Sequence, residues 1–518
     1  MVLTLPAEPE VDIDPVAVAV RLRPPQRAGL EERFADTDPP PEWDLARNPR
    51  IARLLRNRKF QFALIVPNQI IFWLVIISGL AGTVVPGLNF GTAITWYLWF
   101  CLVFVMMVVV GRAWCAMCPF GGFAEWLQRR TFWQRTQRTL GLGRKVPAPI
   151  ARYGFLIPVA MFLVLTFIEE FFNIAAPGNP MATSWMVIGI VASAVAFFLV
   201  FERRAFCRYF CPLTAVIGTV GAMGSVAGFR TRDRDVCVTC KTKECMRGGE
   251  SGYGCPWYTW PGSAESNLSC GLCSECFKAC PSDNVGLFIQ RPLTSVVAPR
   301  RRRADVAWAV IVLWALVIYQ QVNATNVYAS LDNWLNRNLH FPHYPDPFAY
   351  VGIIAGVSLL LAGVVWLLSH ALVRSDIDVG GGGGGFLDRR SRFRALFVPL
   401  AYGLIPVVGA DYFARQLPKF FDFVPRLIPA MGHPFGLGSD HSALYHTSLL
   451  SGSGIVVAQV IVLALGTAAA LWATWRIGTR ELVAVSARPV GIRVATLGFV
   501  LASGAGAAFL YLIMHAAT

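Results

Sequence analysis

Nine stretches of this chain are each apolar for about twenty residues, the length an α-helix needs to cross the ~30 Å hydrocarbon core of a bilayer. They fall at roughly 62–83, 92–111, 153–173, 183–201, 304–323, 348–371, 395–413, 453–474 and 491–515. In lipid no water satisfies a backbone N–H or C=O, so such a segment must bond to itself as a helix. Only 15% of the residues are charged and 55% are hydrophobic, whereas a soluble domain carries about a quarter charged residues. The expected fold is an α-helical polytopic membrane protein with about nine transmembrane helices.

Basic residues orient the spans. Arg47, Arg50, Arg53, Arg56, Arg58 and Lys59 precede the first, and Arg129 to Arg152 supplies a basic connection between the second and third. Arg203 and Arg204 follow the fourth span, and Arg300 to Arg303 precede the fifth. The opposite connections are poor in basic charge: the first two have none, 324–347 has Arg337, and 414–452 has Arg415, Lys419 and Arg426. Basic loops stay cytoplasmic, so the N-terminus is expected inside and the C-terminus outside, in a bacterial-type cytoplasmic membrane. The same rule accounts for the net charge of +15, and no nucleic-acid partner is expected.

Residues 1–46, rich in Pro, Asp, Glu and Arg, read as a disordered cytoplasmic tail. A four-span module is expected over 47–230, an inserted cytoplasmic α+β domain over 231–299 and a two-span module over 300–373. A cytoplasmic linker over 374–394 contains the run Gly380–Gly385, and a three-span module over 395–518 follows. The short, Gly-rich apolar stretch Leu213–Gly228 reads as re-entrant or interfacial.

Twelve of the thirteen cysteines lie between Cys115 and Cys280. Cys270-x2-Cys273-x2-Cys276-x3-Cys280-Pro281 has the bacterial ferredoxin spacing, in which three close thiolates hold one cubane and the fourth serves a neighbouring one. Zinc more often draws paired Cys-x2-Cys knuckles. Upstream, Cys237-x2-Cys240-x4-Cys245 and then Cys255-Pro256 form a stretched version, with Met246–Gly254 inserted. The crossover rule groups Cys237, Cys240, Cys245 and Cys280 around one [4Fe-4S] cluster. It groups Cys270, Cys273, Cys276 and Cys255 around a second. A cytoplasmic position keeps thiols reduced, which suits clusters and disfavours disulfides. Cys101, alone within the second span, reads as packing.

Two further pairs, Cys115-x2-Cys118-Pro119 and Cys207-x3-Cys211-Pro212, follow the same ends of two spans. Together with Gly111-Arg112-Ala113-Trp114-Cys115 and Cys207–Leu213, they resemble the NapH and NosR group of membrane-bound polyferredoxins over roughly residues 60–325. That resemblance implies a ferredoxin-type electron-transfer membrane protein with a two-cluster cytoplasmic domain, an accessory of nitrate or nitrous-oxide respiration. The chain departs from the group in the two-residue gap of its first pair and in lacking a NosR-type flavin domain ahead of the first span. Cys115, Cys118, Cys207 and Cys211 are candidates for a third redox or metal site, or are buried small apolar residues.

On the outer side, His340, His343, His433, His441 and His446 are candidate metal ligands, or solvated loop histidines. His370 and His515 lie at opposite depths and do not make a bis-His haem site. Glu169, Glu170 and Asp411 are candidates for proton handling or quinol binding. The leading functional expectation is an electron relay between a quinone pool or cytoplasmic donor and a partner oxidoreductase, in one form a quinol-oxidising component. The alternatives are a redox-sensing accessory or maturation factor for a metalloenzyme, and a redox-coupled transporter.

Overall fold

The computed structural model describes residues 43–133, 140–299, 302–339, 347–373, 389–432 and 443–516. Among these, eight helical segments are long and apolar enough to cross a membrane. They contain α2 (Lys59–Ala81), α3 (Phe100–Val110, within the run Phe90–Arg129), α6 (Pro180–Val200) and α8 (Ala304–Val322). The others are α9 (Pro347–Leu372), α10 (Arg389–Phe423), α11 (Gly452–Ile477) and α12 (Pro489–Ala516). Shorter helices used below are α1 (Pro49–Arg56), α4 (Pro119–Arg129), α5 (Leu156–Phe171) and α7 (Leu213–Val220).

The ninth expected span, 153–173, is α5, whose 16 residues fall short of a full span. Local turns shorten it: Gly154 packs against the Tyr209 ring, and Asn173 adopts a left-handed φ of 49°. Its course is nevertheless end to end. The Phe155 N–H donates to Asp305 at the start of α8 (3.2 Å), while Ile174, just beyond α5, accepts from Thr183 near the start of α6 (3.4 Å).

Small residues bring the helices together. Ser184 of α6 donates to the Val75 and Ile76 carbonyls of α2 at 3.3 and 3.1 Å, beside Gly79. Gly466 of α11 meets Ala410 of α10, and Gly504 of α12 meets Thr467 of α11, the close approach that membrane helices use in place of a hydrophobic driving force. The central pair is α8 and α10, whose spanning windows are 72% and 78% buried against at most 39% for the others, which leaves the rest to face lipid. The Gly380–Gly385 linker lies outside the described residues, yet the helix after it does not stand apart: Gly409 of α10 contacts Met223 and Val220.

Leu213–Gly228 is neither a span nor a surface stretch. Every residue of α7 after Leu213 is buried, and the following glycines allow backbone to meet backbone, with Gly221 and Gly224 against Gly111. The chain then enters a three-stranded antiparallel sheet of β1 (Trp43–Asp44), β2 (Val226–Thr231) and β3 (Val285–Ile289), in the order β1-β3-β2. Trp43 pairs with Ile289, and Thr231 with Val285. The sheet therefore takes residues from outside 231–299. The end of the expected tail is also structured: Asp44 accepts from the Ala46 N–H (2.8 Å) and from Arg232 (2.7 Å).

Candidate metal centres

The stretched cysteine motif closes because its insertion is a loop whose ends meet. The Cys255 N–H donates to the Cys245 carbonyl at 2.8 Å, with Gly248 and Gly254 at φ of 94° and 77° making the turns. Met246–Gly254 is thereby set aside, and Cys245 and Cys255 return to neighbouring positions. Arg203 holds the loop, donating to the Met246 and Cys255 carbonyls at 2.5 and 3.2 Å, and Tyr253 lies under Arg129 and Arg203.

Eight cysteines sort into two groups. The strongest electrostatic neighbours of Cys245 are Cys280, Cys237 and Cys240, with Cys255 last. Those of Cys276 are Cys255, Cys273 and Cys270, with Cys245 last. Asn284 ties two members of the first group together: its backbone N–H donates to Cys280 Sγ (3.3 Å) and its amide to Cys237 Sγ (3.5 Å). Gly228, at φ 96°, leaves room for the second group, since a Cβ there would stand 2.9 Å from Cys270 Sγ.

A third group forms from Cys115, Cys118, Cys207 and Cys211. Cys118 neighbours Cys211 and Cys115, and Cys207 neighbours Cys211, Cys118 and Cys115. The proline after each pair has a physical role. Pro119 occupies the first turn of α4, where no backbone donor is needed, and the Phe120 and Gly121 N–H groups point at Cys118 Sγ. The Leu213 and Thr214 N–H groups at the start of α7 likewise point at Cys211 Sγ. Both sulfurs thus face the free N–H groups at a helix start.

Two buried arginines join this group to the second. Arg112 donates to Cys115 Sγ (3.4 Å), to the Leu268 carbonyl (2.5 Å) and to Thr214 (3.1 Å). Arg204 is paired with Glu125 (2.7 Å), donates to the Cys115 carbonyl (3.0 Å), and its charge acts on both Cys207 and Cys273. Trp257 lies between them, 4.3 Å from the Arg112 guanidinium and 5.9 Å from that of Arg204. Members of all three groups belong to one apolar cluster with Phe198, Phe206, Phe229, Trp257 and Phe277.

These groups suit an iron–sulfur cluster. Each group offers four thiols, the donor set of such a cluster, while among the described residues no three His, Cys, Asp or Glu side chains converge closely enough to hold a single ion. Burial, with Cys280, Cys237 and Cys240 alongside, pushes the Cys245 thiol up to about 12. Such a quartet ionises readily only around positive metal. Cys240, half-buried, is held below its ordinary value by the Lys243 backbone N–H.

The opposite end of the bundle gathers the carboxylates. Glu170 accepts from Gln320 and Asn323 (both 3.4 Å), and Asp411 accepts from Gln321 (2.5 Å) and Tyr511 (3.1 Å). Arg415 and Lys419, expected in an outer loop, lie within α10, which extends to Phe423, and are the cations acting on Glu169. His340, His343, His433 and His441 lie outside the described residues, while His446 packs edge-on to Tyr445. His370 bonds the Trp366 carbonyl (2.9 Å), and the His515 backbone ends α12.

Sequence reasoning missed Arg112, Arg204, Trp257 and Glu125. One signal was legible: Arg112-Ala-Trp-Cys115 and Arg204-Ala-Phe-Cys207 repeat one pattern ahead of each Cys-Pro. Comparison with known families shows the same duplication. Residues 92–139 and 182–228 each match a family described as a 4Fe-4S binding domain. The matches fall on the segments carrying the third cysteine group, so the chain combines a multi-helix, membrane-type bundle with two 4Fe-4S binding segments. It is also similar to an uncharacterised protein of Methanocaldococcus jannaschii, 28% identical over 192 residues, covering 35% of this chain and 74% of that protein. No solved structure matches.

Proposed function

We propose that this protein is a membrane-bound iron–sulfur relay with three [4Fe-4S] clusters, of the kind its resemblance to the NapH and NosR group implies. One observation carries the reading: nine of the twelve cysteines, with members of every quartet, lie in or against a single apolar cluster that runs from the sheet to α4 and the end of α6. In this reading Cys237, Cys240, Cys245 and Cys280 hold the outermost cluster. Cys270, Cys273, Cys276 and Cys255 hold the middle one, and Cys115, Cys118, Cys207 and Cys211 the one at the membrane face. The clusters supply one-electron chemistry. The chain supplies thiolates at helix ends, the Arg112–Trp257–Arg204 bridge and an apolar surround that excludes water.

The basic connections support a cytoplasmic position for the sheet domain. Electrons would pass along the quartets to a quinone or partner oxidoreductase, with Glu169, Glu170 and Asp411 serving the protons of a quinone couple. Anaerobic iron and sulfide counting with EPR tests the assignment. About twelve iron per chain is expected, falling to about eight in Cys118→Ser/Cys211→Ser. About eight iron in both proteins would remove the third cluster, and clusters that never cycle with any donor would sink the relay.

A further inference from the structure

The outermost quartet has a basic surface beside it that the relay itself does not require. A groove of about 650 Å³ opens there, lined by Arg47, Arg53, Arg56, Arg232 and Asp283 with two alanines and a proline. Its wall touches the quartet: the Asp283 N–H donates to the Cys280 carbonyl (3.4 Å), and the next residue donates to Cys280 Sγ. Arg56 also rests over the ring of Phe277, 5.4 Å from its centroid, next to Cys276.

The charge of the groove is unbalanced. Asp283 is shared by Arg56 (2.5 Å) and Arg232 (3.6 Å), and Arg232 is further paired with Asp44 (2.7 Å). Among the described residues neither Arg47 nor Arg53 has a carboxylate partner, and both are exposed. The fold presents them deliberately: Asn48 caps α1 (its side chain accepts from Arg50 N–H at 2.9 Å), Leu55 is buried, and Arg53 and Arg56 share the last turn. That turn is the negative helix end, which favours cations.

We propose that this groove docks a small acidic electron-carrier protein, which delivers electrons to the quartet of Cys237, Cys240, Cys245 and Cys280. The proposal rests on the relay reading and adds its donor. Position supports it, because the quartet beside the groove is the one farthest along the relay from the Arg204 bridge. Chemistry supports a protein over a nicotinamide or flavin, since among the described residues no aromatic side chain lines the groove to stack on a ring. Exposed arginines are suited to salt-sensitive steering of an acidic surface. The step is a single electron transfer: the carrier is oxidised by one electron, the cluster is reduced by one, and no bond or proton moves.

The test uses the full-length holoprotein in neutral-lipid vesicles, mixed in stopped flow with a reduced acidic ferredoxin while cluster bleaching is followed. Arg47→Glu/Arg53→Glu should slow the second-order rate at low salt on the order of tenfold or more, and flatten its salt dependence. Arg47→Gln/Arg53→Gln should fall between that variant and the unaltered protein. Deazaflavin photoreduction should reach the same extent in all three. An unchanged, salt-independent rate in the charge-reversed protein overturns the docking site, as does equally fast reduction by NADH or NADPH alone. Failure of photoreduction in the unaltered protein would instead overturn the relay reading.

Discussion

Replacing Arg204 with Met tests both the packing and the redox role of the bridge. Arg204 is 1% exposed, and its guanidinium faces the equally buried Glu125, the Cys115 carbonyl and the sulfurs of Cys207 and Cys273. Removing one partner of a buried pair strands the other, at about 3–5 kcal/mol. Arg129 remains 3.5 Å from Glu125 and compensates in part, so the expected loss is nearer ~3 kcal/mol. Removing the carboxylate as well, in Arg204→Met/Glu125→Leu, takes away the stranded carboxylate and should recover part of that loss, Arg129 keeping Glu275 and the Tyr253 ring. The redox effect has a definite sign. A cation beside a cluster favours the extra electron, so its removal lowers the reduction potential. An interaction of about 1.4 kcal/mol corresponds to ~59 mV for one electron. Shifts of that order are expected at the middle and membrane-face quartets, and little at the quartet of Cys237. Thermal melting in one detergent at one scan rate measures the first effect, and EPR-monitored redox titration the second. Equal melting of both variants, or unshifted potentials in Arg204→Met, would refute the reasoning.

Gly228→Ala forces an L side chain into φ 96° and brings a methyl to 2.9 Å from Cys270 Sγ; the middle cluster's EPR signal should be lost or halved while the others persist. Trp257→Leu removes the ring under Arg112, a contact of up to ~2 kcal/mol when desolvated, and should split carrier-driven reduction into a fast and a slower phase by stopped flow. Asp411→Asn/Glu170→Gln should lower quinol-dependent cluster reduction on the order of a hundredfold, with carrier-dependent reduction unaltered; equal loss from both donors would point to misfolding instead.

Some properties of this protein are written along the chain. Apolar length is a local quantity, so the helices could be located from sequence, and even the shortened α5 occupies its expected place. The cubane spacing of Cys270, Cys273, Cys276 and Cys280 is equally local, because three thiolates two residues apart can reach three irons of one cluster. The Arg-Ala-aromatic-Cys repeat was also there to be read. Tertiary structure decided the rest, since convergence depends on where separated segments return. Cys115 and Cys211 come near one another only because the segments after α3 and α6 meet, and Cys255 returns beside Cys245 only because the Met246–Gly254 loop closes on itself. The basic residues show the difference most clearly. Loop charge counts Arg47, Arg53, Arg112 and Arg204 alike as topology signals or leaves them unassigned. The fold turns the first two toward a groove beside Cys280, and buries the other two, Arg112 against the Cys115 sulfur and Arg204 between sulfurs and Glu125, where desolvation makes each charge matter.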